Sequence, residues 1–373
     1  MSKQVFLIPE SEIQDYLLQF MDDSNVTIVK LTNFLDNLNL HNNKEELREI
    51  LGIILNISEN HHRYSLFFDK IKQIFAYLKE DIKSAFTNYE IYEIFQNSKL
   101  ILLILFTDQI IEIDNSIFKN LSGKDIFYQC FFYPELKSFY SEKERKEIEQ
   151  KILETDSKAF NNFNEKRKKG ENEKYICSLI RNDSIKEFVN YVNLTNCNLK
   201  SWTNDSIFET NPFLYGNINL IKYTAFFGSF KIFLYLQKKG AMVNQSIWEF
   251  AIHGNNPKLI HFLENKFETD LKENKNILRE AIKCHHNQIA DYLCNSYGYD
   301  EIDDIFSACF EFYNFSFLQN CQIKYYFFYA CRYNHLAIVK FLFKNHSNID
   351  INEIIITSHF FSNKNQSYLI LKA

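Results

Sequence analysis

Four segments of this chain can be aligned with one another, and they constrain the fold more than any other feature. Each begins with a small residue, bends at the fifth position and resumes with an aliphatic residue at the ninth. The segments begin at Thr224, Ala251, Ala281 and Ala330, bend at Gly228, Asn255, His285 and Asn334, and resume at Ile232, Leu259, Ile289 and Ile338. Gly and Asn reach positive φ at little cost, and the aliphatic residue begins the apolar face of a second helix. The pattern predicts two short antiparallel helices joined by a tight bend.

One such hairpin cannot bury its apolar face alone, so successive hairpins have to stack. The openings are 27, 30 and 49 residues apart. The last step spans about two units, and Ala308 opens a poor copy between them that lacks the aliphatic ninth residue. Residues 175–192 predict a first hairpin upstream of the four. We therefore predict an all-α protein, with an α-solenoid of stacked helical hairpins in its C-terminal half.

Residues 330–340, Ala-Cys-Arg-Tyr-Asn-His-Leu-Ala-Ile-Val-Lys, resemble the core of an ankyrin repeat, as do residues 236–244. Over about residues 175–350 the chain resembles a family of protist ankyrin-like proteins that carry a domain of unknown function. The phrases that carry this resemblance are residues 206–213, 225–229, 248–263 and 282–287. It implies binding to other proteins and brings no enzymatic activity with it. The chain departs from the ankyrin pattern where Thr-Pro-Leu-His usually opens the first helix, since residues 219–222, 246–249, 276–279 and 325–328 contain neither Pro nor His.

The N-terminal half also has the pattern of short helices. Apolar residues at helical spacing predict helices over residues 10–20, 26–38, 45–57, 66–78, 89–96 and 100–111. With 8 Gly and 4 Pro in 373 residues, the chain has few helix breakers. A charged stretch over residues 141–174 predicts a boundary near 165. We thus predict a helical N-terminal region, 1–164, that either caps or continues a degenerate ankyrin-like repeat domain, 165–373.

Composition narrows the classes of partner. A formal net charge of −5 argues against a general nucleic-acid binder. The longest apolar run, residues 100–106, is too short to span a bilayer, and the first ten residues have no secretory signal pattern. The eight cysteines include no Cys-x-x-Cys pair, which predicts reduced, buried thiols. We expect a cytoplasmic protein, with the nucleus as the weaker alternative.

Three stretches offer functional chemistry, each with a simpler structural interpretation. Residues 166–169, Lys-Arg-Lys-Lys, fit a nuclear import signal or a contact for an acidic partner, but a solvated linker explains them better. Residues 284–286, Cys-His-His, with Cys294 offer metal-ligand types at a spacing that fits no zinc signature, and they fall on a repeat bend. Residues 61–63, His-His-Arg, suit an anion site or, more simply, a polar turn between helices. No catalytic motif is present, so we expect no enzyme, no cofactor and no metal.

The resemblance favours a non-enzymatic scaffold that binds another protein. The alternatives are a cytoskeletal or membrane-associated structural adaptor whose two halves bind separate partners and, as the weakest, an enzyme with its site at the domain junction. In an ankyrin hairpin, the two residues after the small pair face the concave side. The partner-binding ladder predicted from this register consists of Phe226, Phe227, His253, Lys283, Arg332 and Tyr333. We expect His253, Lys283 and Arg332 to be less easily buried than the two phenylalanines. Packing of Phe226 and Phe227 into the next hairpin is an equally weighted alternative.

Overall fold

The fold is all-α wherever the structure describes it. The computed structural model describes residues 8–23, 25–38, 40–41, 43–63, 66–203, 205–216, 218–267, 276–298, 301–318 and 323–345. These residues include no strand, and an isolated β-bridge joins Trp202 to Asn219. The chain divides into two compact units, Ser58–Glu280, and Met1–Ile57 together with Ala281–Ala373. We call them the central unit and the terminal unit.

The helices confirm the predicted N-terminal series and the repeat pattern. Their bounds are α1 Pro9–Asp22, α2 Val29–Asp36, α3 Lys44–Asn60, α4 Phe67–Ala85, α5 Asn88–Phe95, α6 Lys99–Thr107, α7 Asn115–Ser122, α8 Ile126–Phe131, α9 Tyr133–Leu136, α10 Glu142–Thr155, α11 Phe163–Lys169, α12 Tyr175–Arg181, α13 Ile185–Thr195, α14 Leu220–Phe226, α15 Phe230–Lys238, α16 Ile247–His253, α17 Pro257–Lys266, α18 Asn276–Lys283, α19 Asn287–Tyr297, α20 Ile302–Glu311, α21 Ile323–Arg332 and α22 Leu336–Asn345. Short 3₁₀-helices cover Pro212–Leu214 and Phe315–Phe317.

Every predicted bend has the left-handed backbone that the pattern requires. The φ angles are 62° at Gly228, 44° at Asn255, 58° at His285 and 65° at Asn334. They separate α14 from α15, α16 from α17, α18 from α19, and α21 from α22. The upstream hairpin, α12 and α13, bends in the same way at Asp183, where φ is 45°. The repeat is therefore a series of helical hairpins, as predicted.

At four bends, the residue after the bend ties its hairpin to the hairpin before it. In each of these four cases a polar side chain bonds to a backbone carbonyl of the preceding hairpin or bend. The pairs are Ser229 with the carbonyl of Ile180 at 2.5 Å, Asn256 with that of Gly228 at 2.6 Å, Asn314 with that of Ile282 at 2.7 Å, and His335 with that of Phe310 at 2.8 Å. These bonds keep the hairpins in register although the usual ankyrin Pro and His are missing.

The poor copy that opens at Ala308 forms only half of a hairpin. Helix α20 bends at Tyr313, where φ is 56°, but the 3₁₀-helix Phe315–Phe317 replaces the second helix. Its ninth position is Ser316, which cannot begin an apolar face. Helix α1 packs here instead: Gln14 donates to Asn314 Oδ1 at 2.8 Å and accepts from the Ser316 N–H at 3.2 Å.

Helix α3, up to Ile57, belongs to the same terminal unit as the last repeats. The Glu49 carboxylate lies 2.6 Å from His335 Nδ1, and both side chains are buried. Lys340 donates to Glu45 at 3.1 Å. At Gly52 the ring of Tyr313 is so close that an added Cβ would lie 2.4 Å from it. The N-terminal helices thus pack on the C-terminal repeats within one unit. The predicted boundary near 165 lies inside the central unit, and the division into 1–164 and 165–373 remains a prediction.

The basic run 166–169 is not a solvated linker, contrary to the structural interpretation of the sequence. It forms α11, and Arg167 is 3% exposed. Its guanidinium donates to both oxygens of Glu135 at 2.6 and 2.9 Å, and to the carbonyl of Phe131 at 3.1 Å. Lys166 pairs with Asp156 at 2.8 Å. Two of the four charges therefore hold α11 against neighbouring helices of the central unit.

Candidate partner-binding residues and a buried polar cluster

The three predicted ladder residues of the central unit lie together. The rings of Phe226 and His253 stack with centroids 4.9 Å apart, and Phe227 contacts Phe226 edge to face at 5.1 Å. The expectation that His253 resists burial is wrong: its side chain is 2% exposed, because Glu280 supplies a partner 2.7 Å from Nε2. Phe226 is also buried, and its ring contacts those of both His253 and Phe213. Phe227, half-buried, is the most accessible of the three.

The ladder residues of the terminal unit are more accessible. Arg332 is exposed, with its guanidinium carbon 5.7 Å from the ring centre of Tyr333 and 5.9 Å from that of Tyr329. The hydroxyl of Tyr333 lies 2.6 Å from Ser307 Oγ, which fixes its ring against α20. Lys283 is half-buried, with Nζ 5.9 Å from the ring centre of Phe312. Aromatic rings thus support both cations, which stay accessible to a partner.

The Cys-His-His stretch, 284–286, forms the bend between α18 and α19, as its structural interpretation predicts. The His285 N–H donates to the carbonyl of Ile282, and the His286 N–H to that of Ala281, both at 3.0 Å. The corresponding bond closes the last bend, from the His335 N–H to the carbonyl of Ala330 at 2.8 Å.

The segment between α13 and α14 holds a buried polar cluster that sequence reasoning missed. Residues 206–211, predicted only as part of a longer connector, are buried without a break. Gly170 O accepts from the N–H of Thr210 at 3.1 Å and from its hydroxyl at 2.9 Å. Arg63 donates to the same hydroxyl at 2.7 Å, and Asn211 donates to the carbonyl of Glu59 at 3.2 Å. The stretch 61–63 does lie between α3 and α4, but Arg63 joins this cluster.

The carboxylate of Glu209 is the centre of the cluster. It accepts from the backbone N–H groups of Asn172 at 3.2 Å, Thr210 at 3.0 Å and Asn211 at 2.9 Å. Burial raises its pKa, and the positive charge of Arg63 together with these backbone bonds opposes the rise. Burial in turn lowers the pKa of Arg63, with Glu209 as the strongest opposing charge. Each of these two charges therefore favours the ionised form of the other inside the central unit.

A cavity of about 200 Å³ lies beside this carboxylate. Its lining includes Lys99, Asp125, Asn172, Asp205, Ser206 and Tyr215. Lys99, the first residue of α6, is 3% exposed, and its ammonium donates to the carbonyl of Glu209 at 3.4 Å. Burial lowers the pKa of Lys99 to about 8. The only sequence signal for this site was the family resemblance of residues 206–213, and that resemblance indicated no buried charge and no cavity.

Comparison with known families matches the C-terminal half of the chain. The profile described as Domain of unknown function (DUF3447) matches residues 240–321, and an ankyrin-repeat profile matches residues 323–353. The first match covers α16 to α20, and the second begins with α21 and continues past α22. Neither a curated protein nor a solved structure matches the chain.

The matches and the geometry agree. An ankyrin repeat implies a protein partner and a role in protein–protein interaction. Among the described residues, no helix has both the length and the apolar character needed to cross a bilayer. The C-terminal half of this chain, with its helical hairpins, matches an ankyrin-repeat protein with a domain of unknown function.

Proposed function

We propose that the protein is a non-enzymatic scaffold in the cytoplasm, and that it binds another protein through the residues that end the first helix of each hairpin. In the terminal unit these are Lys283, Arg332 and Tyr333, which we call the bend-end residues. In the central unit Phe227 has the equivalent position, and the buried Phe226 and His253 support it. The non-enzymatic part rests on the ankyrin match and on the lack of any catalytic motif.

The observation that carries the proposal is the environment of Arg332. Its side chain is exposed, and it forms no ion pair with any residue that the structure describes. Two aromatic rings hold its guanidinium, and one of them is fixed by the hydrogen bond to Ser307. An Arg on rigid aromatic neighbours loses little side-chain entropy on binding, and such residues are enriched at interface hot spots.

Capture with matched baits tests the proposal. The parent protein, Arg332→Ala and Lys324→Ala are immobilised, and the proteins retained from native cells are quantified by mass spectrometry. Lys324 is the control, because it is an exposed cation on the same helix, α21, at the opposite end. Loss of a hot spot costs about 2 kcal/mol, so Arg332→Ala should retain its partner at least roughly tenfold less well. Lys324→Ala should bind like the parent, and all three thermal midpoints should agree.

One outcome would contradict the proposal. If the same proteins are retained at equal yield by all three folded baits, the bend-end residues do not bind the partner. Lys283→Ala repeats the test at a second bend and should also retain less partner, with a smaller loss than Arg332→Ala.

A further inference from the structure

The cavity beside Glu209 has an amine that the fold leaves largely unsatisfied. An ammonium has three donors, yet among the described residues the only hydrogen-bond acceptor for Lys99 is the Glu209 carbonyl, at a long 3.4 Å. No carboxylate of those residues lies within ion-pair distance of its Nζ. The remaining contacts are ring faces, Tyr215 at 4.7 Å, Tyr128 at 5.4 Å and Phe131 at 5.5 Å. Burying a charged group with so little compensation is costly.

The same surroundings make the amine reactive. Neutral lysine is the nucleophile in imine formation, and desolvation increases the neutral fraction. Because burial brings the pKa of Lys99 to about 8, about a fifth of the molecules carry the neutral amine at pH 7.4, against about a thousandth for an ordinary lysine. The amine lines the cavity of about 200 Å³, which is large enough for a small organic molecule. Exposed residues at the rim, Asp125, Tyr215 and Gly216, make that space accessible from solvent.

The rest of the lining selects the kind of reactant. Asp205 Oδ1 is buried and has no hydrogen-bond partner among the described residues. This oxygen can therefore accept a hydrogen bond from a guest that carries a donor such as a hydroxyl. Asp125, Asp205 and Glu209 together disfavour a negatively charged guest, because their charges would repel it.

We propose that Lys99 is a covalent capture site for a small, neutral, hydroxyl-bearing aldehyde. The neutral amine of Lys99 attacks the carbonyl carbon and forms a C–N bond, and the carbonyl oxygen takes up a proton to become a hydroxyl. Loss of that hydroxyl as water, with the proton leaving nitrogen, yields an imine. One amine and one aldehyde give one imine and one water, and no oxidant or reductant is needed. This site is separate from the bend-end residues and does not depend on their function.

Reductive trapping of the unmodified protein tests the site. Glycolaldehyde is the neutral probe and glyoxylate the anionic one, each with cyanoborohydride, which reduces the imine to a stable secondary amine. Peptide mass spectrometry then gives the labelling rate of each lysine. Lys124 is an internal control: its Nζ lies at the same 5.4 Å from the ring centre of Tyr128, but it is less buried and donates to Asn97 at 2.7 Å.

At pH 7 we expect glycolaldehyde to label Lys99 at least roughly tenfold faster than Lys124. The ratio should fall as pH rises above about 8, because the neutral fraction of Lys99 then approaches its maximum and its labelling stops accelerating. Glyoxylate should show no preference for Lys99. Equal rates for the two lysines with glycolaldehyde would overturn the capture site, and preferential labelling of Lys99 by glyoxylate would overturn the assignment of a neutral guest.

Discussion

The repeat hairpins and the connector before α14 both bury polar groups, but they satisfy those groups in different ways. The hairpin ties of Ser229, Asn256 and Asn314 are each one uncharged side chain bonded to a backbone carbonyl, and the residue type varies between Ser and Asn. The connector, residues 203–216, relies on charges: the carboxylate of Glu209, the guanidinium of Arg63 and the ammonium of Lys99.

The hairpin ties can therefore be replaced by other residue types, whereas the connector depends on particular charged residues. A neutral hydrogen bond contributes about 1 kcal/mol net, so one tie can drift to another residue type at modest cost. A buried charge depends on its partner, because removing the partner leaves the charge uncompensated. We therefore expect substitutions in the connector to have larger effects than those in the hairpins. Both tryptophans, Trp202 and Trp248, lie in the central unit, so their fluorescence reports the unfolding of that unit alone.

Substitution of Glu209 should have the largest effect. In Glu209→Ala, three backbone N–H groups lose their acceptor and Arg63 loses its strongest opposing charge. The free energy of unfolding of the central unit should fall by about 3–5 kcal/mol, measured by urea titration of tryptophan fluorescence. Glu187→Ala, at an exposed position of α13, is the control and should change it by less than about 0.5 kcal/mol. Equal effects of the two substitutions would remove the distinction between the regions.

The pH dependence of stability tests the second connector charge. The pKa of Lys99 is lowered in the folded state, so between about 8 and the ordinary 10.5 the unfolded chain binds more protons at this group. Stability then rises with pH across that window, by at most about 3 kcal/mol from this group. The parent protein should therefore gain stability relative to Lys99→Met between pH 7.5 and pH 9.5. A difference between the two that stays constant with pH contradicts a buried, charged Lys99.

Among substitutions in the hairpins, the one at a close backbone contact should have the largest effect on stability. A Cβ at Gly254 would lie 2.3 Å from the carbonyl oxygen of Ala225 and 2.7 Å from the backbone nitrogen of Gly228, which forces two hairpins apart. Gly254→Ala should cost about 2 kcal/mol in the same titration. Gly123→Ala is the matched control, because its nearest neighbour lies at an ordinary 3.4 Å. If Gly254→Ala is as stable as Gly123→Ala, the two hairpins do not pack this closely.

The smallest effect should come from a single tie. Asn256→Ala loses the bond to the carbonyl of Gly228 and the cap on the N–H of Lys258, and it should cost about 1 kcal/mol. Asn256→Ser should recover part of that loss, since Ser229 makes the equivalent tie one hairpin earlier. A serine variant no better than alanine would mean that the ties are not interchangeable.

The hairpins could be predicted from the sequence because each depends on residues close together in the chain. A small residue, a bend and an aliphatic residue within nine positions define the turn, and all four predicted bends have positive φ. The helices α1 to α6 followed in the same way from local periodicity. The half-hairpin at Ala308 was visible as the missing aliphatic residue, although the 3₁₀-helix that replaces the second helix was not.

What could not be predicted depends on partners distant in sequence. His253 is buried because Glu280, 27 residues away, pairs with it. Arg167 is internal because Glu135, 32 residues away, receives its guanidinium. The link between Glu49 and His335 spans 286 residues. The cavity needs α6 and the connector together, 110 residues apart at the contact of Lys99 with Glu209. No local pattern records such pairs, so the sequence did not predict the buried charges of the connector.

The division of roles between the two regions can be measured directly with two baits. Arg332→Ala changes the hairpins and Lys99→Met changes the connector, and each bait is compared with the parent for the amount of partner protein retained. The account predicts that Arg332→Ala retains at least roughly tenfold less partner while Lys99→Met retains the parental amount. The opposite pattern, with partner lost from folded Lys99→Met and kept by Arg332→Ala, would place partner binding in the connector and contradict the account.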